Sequence, residues 1–260
     1  MEADIDLPGL LRRLRLPTMA RLLEQFATRA AAEAWTYLDF LTALVTEEIA
    51  HRQQTRIEKA TRKARFPYLK TIEEFDFTFQ SSLRRTALAP FLDPDFAPNG
   101  RNLLLSGRSG VGKTHLCIAV AYKAIQHGYT ARFVSAADLI DELSAAAIEG
   151  RLREATAAYH QGDVLIIDEV GYLHHADSAA NVLYGVIDGR YHRKRSVLCT
   201  TNKPFHQWGE VLHDQQLAEA ILDRLLERGT HIRLGGKSWR TRHIDDEDGP
   251  DVPPEASPCS

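Results

Sequence analysis

Cysteine and long apolar runs are scarce in this sequence. Its 260 residues include three cysteines, Cys117, Cys199 and Cys259, whose spacing is typical of neither a metal site nor a disulfide framework. No apolar run approaches the roughly 18 residues that a membrane-spanning helix needs, and the N-terminus lacks a signal-peptide pattern. These absences lead us to expect a cytoplasmic protein with reduced thiols and no membrane contact.

Basic residues are missing from the C-terminal end. Residues 245–260 contain six carboxylates and no lysine or arginine, although the net charge of the whole chain is only −3. The same stretch contains four prolines, and this composition disfavours a packed core. We predict that residues 244–260 form a disordered acidic tail, whose simplest role is solubility.

The first part of the chain is predicted to be helical. Between residue 7 and about residue 64, apolar side chains recur at three- and four-residue spacing, with one break at Pro17-Thr18. The length of the chain leaves room for such a module beside a domain of about 180 residues. We therefore assign residues 1–66 to a small all-helical N-terminal domain.

The end of this helical region is strongly basic. Residues 51–65 contain six lysines and arginines and a single acid. A basic helix can lie on the phosphates of a DNA duplex, where each neutralised phosphate makes the affinity depend on salt. The same pattern also occurs on helix faces that meet only solvent. The sequence leaves both interpretations open.

A connector is predicted between the helical domain and the rest of the chain. Residues 67–100 contain four prolines and the alternating stretch Phe75-Asp-Phe-Thr-Phe79. Prolines at such intervals interrupt regular structure. We expect one short helix in this segment, over residues 82–89, that leads into the main domain.

From residue 101 to about residue 243, short apolar stretches alternate with helical patterns. This order predicts an α/β domain with a central parallel β-sheet flanked by helices. Helices are expected over residues 135–147 and 151–160 and onward from Asp177. The predicted strands cover residues 102–106, 131–135, 164–167, 196–201 and 231–234.

The first of these strands leads into a glycine-rich loop. Gly107-Arg-Ser-Gly-Val-Gly-Lys-Thr114 fits the phosphate-binding pattern G-x-x-x-x-G-K-[ST] and precedes an apolar helix pattern. Glycines let backbone N–H groups converge on phosphate oxygens, Lys113 would reach the β- and γ-phosphates, and the Thr114 hydroxyl would bind Mg²⁺. The residues predicted to bind the nucleotide are Gly107, Arg108, Ser109, Gly110, Val111, Gly112, Lys113, Thr114 and His115.

Two carboxylates, Asp168 and Glu169, follow the apolar strand predicted at residues 164–167. Ligands of open parallel sheets bind beyond the carboxyl ends of the strands. Asp168 is expected to hold Mg²⁺ together with Thr114, and Glu169 to polarise the water that attacks the γ-phosphate. An ATP hydrolase needs such a base, whereas a simple kinase or switch GTPase does not. The pair therefore favours ATP hydrolysis.

Three further polar residues are candidates for catalysis. Asn202 ends an apolar strand and could hydrogen-bond the attacking water or the γ-phosphate, or it could begin a turn before Pro204. Arg224 lies on an apolar helix, and Arg240 follows the last strand. An arginine that enters a neighbour's site would stabilise the transferring phosphoryl group, although such arginines are also common in surface salt bridges.

In their order along the chain, these motifs resemble those of AAA+ ATPases. The motifs are the phosphate loop, Leu-Ile-Ile-Asp-Glu169, Thr-Thr-Asn202, Asp223-Arg224 and Ser238-Trp-Arg240. More narrowly, the chain from residue 7 to about residue 243 resembles the IstB family, the helper ATPases of bacterial insertion sequences, which are related to DnaC helicase loaders. The resemblance implies an AAA+ P-loop NTPase fold, with the ATPase core at residues 101–243.

The resemblance also implies functions that the residues alone do not. By comparison with the family, Asn202 corresponds to sensor I, Arg240 to sensor II, and Arg224 to an arginine finger that acts on the neighbouring subunit. Arg228 competes for the finger role because it lies on the same helical face as Arg224. ATP would drive assembly of a homo-oligomer on double-stranded DNA. That assembly would recruit and stimulate a transposase, and the helical N-terminal domain would mediate both subunit contacts and transposase engagement.

Other functions fit parts of the same pattern. A DnaC-like helicase loader is the alternative within the class, and an adjacent transposase-like reading frame would argue against it. A P-loop kinase for a small molecule is the second alternative, although Glu169 and Asn202 argue against it. A nucleotide-gated scaffold with little hydrolysis is the third, and the intact Asp168-Glu169 pair disfavours it.

Overall fold

A computed structural model describes residues 6–171 and 179–242, and the chain divides into two compact units between Ala60 and Thr61. The predictions for residues 244–260 and for a helix start at Asp177 lie outside the described residues. No helix in the described ranges combines the length and the apolar character that crossing a membrane requires.

The N-terminal region is helical, as its apolar spacing predicts. The break at Pro17 is confirmed, because a helix begins at this residue, where the missing N–H would have no partner in any case. The first helix begins after Asp6, whose carboxylate accepts a hydrogen bond from the backbone N–H of Gly9 at 2.8 Å. The helices are α1 (Leu7–Arg13), α2 (Pro17–Ala32) and α3 (Tyr37–Ala64).

A buried carboxylate joins α2 to α3. Glu48 is 3% exposed and accepts hydrogen bonds from the backbone N–H groups of Thr18 and Met19, at 2.8 and 3.1 Å. These are N–H groups of the first turn of α2, which have no acceptor within the helix. Arg52, one turn further along α3, pairs with the same carboxylate at 2.9 Å. Glu48 therefore caps α2 from a distance.

Five parallel strands form the sheet of the larger unit. They are β1 (Asn102–Gly107), β2 (Ala131–Ser135), β3 (Val164–Asp168), β4 (Ser196–Thr201) and β5 (Gly229–Leu234). Their order in the sheet is β2-β3-β4-β1-β5. All five predicted strands are confirmed, although β1 and β3 extend to Gly107 and Asp168, and β5 already begins at Gly229. β3 and β4 are buried along their whole length, which explains their continuous apolar sequences.

Helices connect and cover these strands. Ser135 caps the helix that begins at Ala136 through a 3.0 Å hydrogen bond from the N–H of Asp138, as its sequence predicts. The helices are α4 (Ala89–Leu92), α5 (Lys113–Gln126), α6 (Ala136–Ile148), α7 (Leu152–His160), α8 (Ala179–His192), α9 (Trp208–Leu212) and α10 (Gln215–Glu227). Short 3-10 helices cover Arg85–Leu88, Phe205–Gln207 and Trp239–Thr241.

The prediction of a helix over residues 82–89 is wrong in its position. The structure has a 3-10 helix at Arg85–Leu88, followed by α4, which begins at Ala89. Pro90 explains the shift, because proline fits only the first turn of a helix. Leu88 and Phe91 are buried and hold this segment on the sheet unit.

Strand order determines where the predicted site residues meet. β1 lies between β4 and β5, and β3 lies between β2 and β4. Because all the strands are parallel, their carboxyl ends lie at one edge of the sheet. This arrangement brings the loop after Gly107, the carboxylate of Asp168 and the polar end of β4 to the same edge.

Candidate functional site

The glycine-rich loop has a backbone that only glycine adopts easily. Gly107, Gly110 and Gly112 have φ values of 149°, 80° and 94°. A Cβ on Gly107 would lie 2.3 Å from the carbonyl oxygen of Leu234, and one on Gly112 would lie 2.6 Å from the Phe75 ring. The loop therefore needs glycine both for its turns and for its close neighbours. It ends at Lys113, where α5 begins and presents its positive N-terminus to the loop.

The Lys113 side chain folds over the loop. Its Nζ donates hydrogen bonds to the carbonyl oxygens of Gly107 and Arg108, at 2.8 and 2.9 Å. The residue is only 9% exposed. Burial lowers the pKa of its ammonium group, and the nearby Asp168 and Glu169 carboxylates oppose that effect. The arrangement holds a cation against a loop of phosphate-binding geometry.

Asp168, at the end of β3, is the centre of a small hydroxyl network. It is 7% exposed. The Thr114 hydroxyl donates to its Oδ1 and Oδ2 at 2.9 and 3.1 Å, and the Thr200 hydroxyl donates to Oδ1 at 2.5 Å. The two residues predicted to share a metal, Thr114 and Asp168, are thus in contact. Sequence reasoning missed Thr200 because only the pairing of β3 with β4 brings it here.

The oxygen donors at this point suit Mg²⁺. Within the described ranges, no group of three or more His, Cys, Asp or Glu side chains could enclose a metal. Mg²⁺ does not need such a cage, because it is usually bound through one or two protein oxygens, with waters and substrate phosphates as further ligands. The Thr114 hydroxyl and the Asp168 carboxylate match that pattern.

Glu169 follows Asp168 in a strained backbone conformation. Its φ is 59°, in the left-handed region that non-glycine residues rarely adopt. Thr200 holds this turn, since its hydroxyl accepts the N–H of Glu169 at 2.8 Å and its carbonyl accepts the N–H of Val170 at 2.9 Å. The Glu169 side chain is exposed and lines the same cavity as Lys113. Such strain is typical of residues whose direction matters for function.

Asn202 lies just beyond β4, beside Gly171. Its Oδ1 is buried and has no hydrogen-bond partner among the described residues. A Cβ on Gly171 would lie 2.9 Å from this oxygen, so the glycine leaves room for it. The turn at this point is stabilised by Thr201, whose Oγ1 accepts the N–H of Lys203 at 3.1 Å. The side-chain oxygen of Asn202 therefore makes no hydrogen bond to the described residues of this turn.

Arg240 is brought to the phosphate loop by its own chain. The N–H of Trp239 donates to the carbonyl oxygen of Gly110 at 3.0 Å, and Arg240 lines the nucleotide cavity. A Cβ on Gly110 would lie 2.0 Å from Ser238 Oγ, so this segment packs directly against the loop. Arg240 therefore shares the cavity with Lys113 and Glu169.

Arg224 and Arg228 lie elsewhere, and neither lines that cavity. Arg224 pairs with Asp188 through Nε at 3.2 Å and with Asp223 at 3.1 Å. Arg228 donates to the carbonyl oxygen of Tyr191 at 2.6 Å. Both guanidinium groups also approach the Tyr191 ring, at 5.0 Å for Arg224 and 4.4 Å for Arg228. The structure thus separates this pair from the nucleotide site of its own subunit.

The connector forms one wall of the cavity, which sequence reasoning did not anticipate. The cavity has a volume of about 300 Å³, in the range of small-molecule sites. Phe79 packs edge-to-face on Trp239, with ring centroids 4.9 Å apart. The alternating aromatic residues were the available signal, but they do not indicate where the segment packs. The connector residues in the wall are Tyr68, Lys70, Glu74, Phe75, Asp76, Phe79 and Gln80.

His115, predicted to bind the nucleotide, also lines the cavity but has protein partners. Its Nε2 is 2.9 Å from the carbonyl oxygen of Thr71, and its ring packs edge-to-face on Phe75 at 5.2 Å. Burial lowers the pKa of its imidazole. These contacts attach the connector to the start of α5.

Comparison with known proteins gives consistent matches over most of the chain. A family model described as IstB-like ATP binding protein matches residues 9–246. A protein of insertion sequence IS5376 from Geobacillus stearothermophilus, whose name describes it as ATP-binding, is 39% identical over 230 residues, covering 88% of this chain and 91% of that protein. The corresponding IS21 protein from Pseudomonas aeruginosa is 36% identical over 237 residues, covering 91% of this chain and 89% of that protein.

Solved structures match the larger part of the chain at low identity. DnaI has a TM-score of 0.55 at 18% identity, covering 68% of this chain and 93% of that chain. AMPPCP-bound DnaA from Aquifex aeolicus has a TM-score of 0.53 at 20% identity, covering 68% of this chain and 54% of that chain. These likenesses confirm the predicted AAA+ P-loop fold, and at such identities they show the fold alone.

Proposed function

The chain belongs to the family of IstB-like ATP binding proteins, and from this premise we propose that it is a Mg²⁺-dependent ATPase that assembles on double-stranded DNA and recruits a transposase. The observation that carries the proposal is Glu169, held in a strained turn beside Asp168 and facing the cavity of the phosphate loop. A carboxylate in this place is suited to polarise a water molecule. The names of the relatives, which refer to insertion sequences, support the transposition context.

The phosphate loop and its neighbours would bind the triphosphate. The backbone N–H groups of residues 107–114 and the N-terminus of α5 favour anionic oxygens, and Lys113 supplies the positive charge. Thr114 and Asp168 would hold Mg²⁺, which when bound neutralises charge on the phosphate oxygens. Arg240 adds a second positive side chain from the same subunit.

Glu169 would accept the proton of the attacking water. Its side chain is exposed to the cavity, whereas its backbone is fixed by Thr200. Asn202 would complete the water site, because its buried Oδ1 lacks a hydrogen-bond partner among the described residues and is free to accept one. The buried oxygen would thereby gain the hydrogen bond that the described residues do not supply.

A second subunit would complete the site. Arg224 is held at Asp188, away from the cavity of its own chain. An arginine that acts in trans must lie on a surface other than its own nucleotide site, and Arg224 meets this condition. We therefore propose a homo-oligomer in which each Arg224 serves the neighbouring subunit.

We expect ATP hydrolysis per subunit to rise with protein concentration and to rise further with duplex DNA. The reason is that sites shared between subunits are complete only in the assembly, which duplex DNA would promote. The measurement is steady-state phosphate release over a concentration series, with and without duplex. A rate per subunit that is constant across the series and indifferent to DNA would contradict the shared site and revive a self-contained P-loop kinase.

The basic part of α3 provides a candidate surface for duplex phosphates. Arg56, Lys59 and Lys63 are all exposed. Their spacing of three and four residues places them on one face of the helix. That face could follow the DNA backbone, which supplies most of the salt-dependent affinity of DNA-binding proteins.

We expect the triple variant Arg56→Gln, Lys59→Gln, Lys63→Gln to bind duplex DNA with a smaller salt dependence. The slope of log affinity against log salt should fall by about 2 to 3, since each lost phosphate contact removes about 0.9. Fluorescence anisotropy over a salt series measures this slope. The matched control replaces three exposed arginines elsewhere, Arg84, Arg85 and Arg153, with glutamine. Equal slopes for both variants would mean that Arg56, Lys59 and Lys63 contact solvent and not DNA.

A further inference from the structure

Gln80, in the connector, is a buried polar residue attached to the phosphate loop. It is 3% exposed, and its Nε2 donates a 3.0 Å hydrogen bond to the carbonyl oxygen of Val111. Its Oε1 accepts a 2.8 Å hydrogen bond from the Ser82 hydroxyl. Both ends of the amide are therefore used, as expected for a buried polar group.

The bond to Val111 determines the direction of a loop N–H group. The peptide between Val111 and Gly112 is planar and trans, so its C=O and its N–H point in opposite directions. When Gln80 holds the Val111 carbonyl on the connector side, the N–H of Gly112 must point to the other side of the loop. Gly112 has a φ of 94°, so its backbone could otherwise adopt other conformations at little cost.

The hydrogen bonds of Gln80 to Val111 and Ser82 form a network, and a second branch of it reaches the segment that carries Arg240. The Ser82 hydroxyl accepts a 3.0 Å hydrogen bond from the N–H of Gly235, directly after β5. Further along this segment, the N–H of Trp239 donates to the Gly110 carbonyl oxygen at 3.0 Å. Gln80 and Ser82 thus link the phosphate loop to the start of the stretch from residue 235 to residue 239, and the end of that stretch bonds directly to the loop at Gly110.

We propose that Gln80 is a positioning residue for ATP binding: its buried amide orients the peptide between Val111 and Gly112 so that the Gly112 N–H faces the phosphates. The inference rests on the proposed function only in taking the glycine-rich loop as the phosphate site. Ser82 extends the same role to the segment that carries Arg240. The connector is on this account part of the nucleotide site as well as a link between domains.

The decisive variant is Gln80→Glu, which keeps the size of the side chain and the acceptor for Ser82. It replaces the N–H donor with a carboxylate oxygen, which repels the Val111 carbonyl. We expect the Kd for a fluorescent ATP analogue to rise about tenfold, which corresponds to the loss of one buried hydrogen bond. The matched control is Gln53→Glu, an exposed position on α3, which should leave the Kd unchanged.

The pH dependence of the Kd distinguishes a positioning role of Gln80 from a general loss of structure in the variant. A buried carboxyl has a raised pKa, so the side chain introduced by Gln80→Glu should gain a proton as the pH falls from about 8 to about 5.5. The protonated form has an O–H donor and can bind the Val111 carbonyl again. The ratio of variant to wild-type Kd should therefore approach one at low pH. A ratio that stays high at every pH, or that never departs from one, would overturn the proposal.

Gln80→Met keeps the proposal testable if Gln80→Glu does not fold, because it removes the N–H donor without adding a charge and should also raise the Kd; an unchanged Kd would overturn the proposal. Ser82→Ala tests the second branch. This variant leaves the Gln80 bond to Val111 in place and removes the Ser82 bonds to the Gly235 N–H and to Gln80 Oε1. We expect kcat to fall several-fold with little change in the Kd for ATP, because the segment of Arg240 is loosened while the loop is not. Unchanged kcat would overturn the role of the network. Wild-type hydrolysis with duplex DNA is measured in parallel, so that failure of the proposed function is seen separately.

Discussion

Replacing Glu169 with glutamine is expected to slow ATP hydrolysis by about a thousandfold while ATP binding stays intact. General-base catalysis by a positioned side chain contributes about 10² to 10⁴ in rate. We expect the substitution to leave the local backbone unchanged, because Thr200 binds the backbone N–H of Glu169 and the side chain has no part in that bond. Single-turnover hydrolysis and equilibrium binding of ATP measure the two quantities separately.

The matched control for this prediction is Glu154→Gln, at an exposed position on α7. It removes the same charge far from the phosphate loop in sequence and should leave hydrolysis unchanged. Because Glu169→Gln binds ATP without consuming it, it should also accumulate the assembled state on duplex DNA. A Glu169→Gln protein that hydrolyses ATP at the wild-type rate would show that Glu169 is not the general base. Asp168 would then be the alternative carboxylate for that role.

The sheet could be predicted from the sequence because buried parallel strands are apolar along their whole length. β3 and β4 are of this kind, and their predicted positions are confirmed. β5 lies at one edge of the described sheet, beside β1, and is partly exposed. Its first residues, Gly229 and Thr230, are not apolar, which explains why the prediction began too late.

The contacts within the site could be predicted only in part. The spacing of the phosphate loop indicates Lys113 and Thr114 directly, since their roles follow from neighbouring residues on the chain. Thr200 bonds to Asp168 because β4 pairs with β3, and strand order cannot be read from local patterns. The same is true of Gln80, whose contact with Val111 joins segments 31 residues apart.

The sequence alone could not decide between Arg224 and Arg228 as the arginine finger. The sequence places both on one helical face, and the structure confirms that both contact Tyr191. Their contacts differ in one respect. Arg228 donates to the main-chain carbonyl of Tyr191, whereas Arg224 is held by the carboxylates of Asp188 and Asp223. Side-chain ion pairs at partly exposed positions are weak, so Arg224 can exchange them for a phosphate at lower cost.

Arg224→Ala is therefore expected to lower duplex-stimulated hydrolysis by about a thousandfold, in the range found for arginine fingers. Its own ATP affinity should change little, because Arg224 does not line the cavity of its subunit. The most informative experiment measures ATP hydrolysis in mixtures of Arg224→Ala and Glu169→Gln subunits. In such a mixture, a site with an intact Glu169 can receive Arg224 from its neighbour, so that part of the activity should return although each variant alone is inactive.

Arg228→Ala serves as the matched variant in the same mixing experiment. If Arg224 is the finger, Arg228→Ala alone should retain most of the activity, because the contacts that it removes are with Tyr191 and not with the nucleotide cavity. If Arg228→Ala is inactive and recovers on mixing while Arg224→Ala does not, the finger is Arg228. Absence of recovery for both arginine variants, at every mixing ratio, would contradict an active site shared between subunits. The nucleotide site would then act within one chain, and Arg240 would be the arginine that stabilises the transferring phosphoryl group.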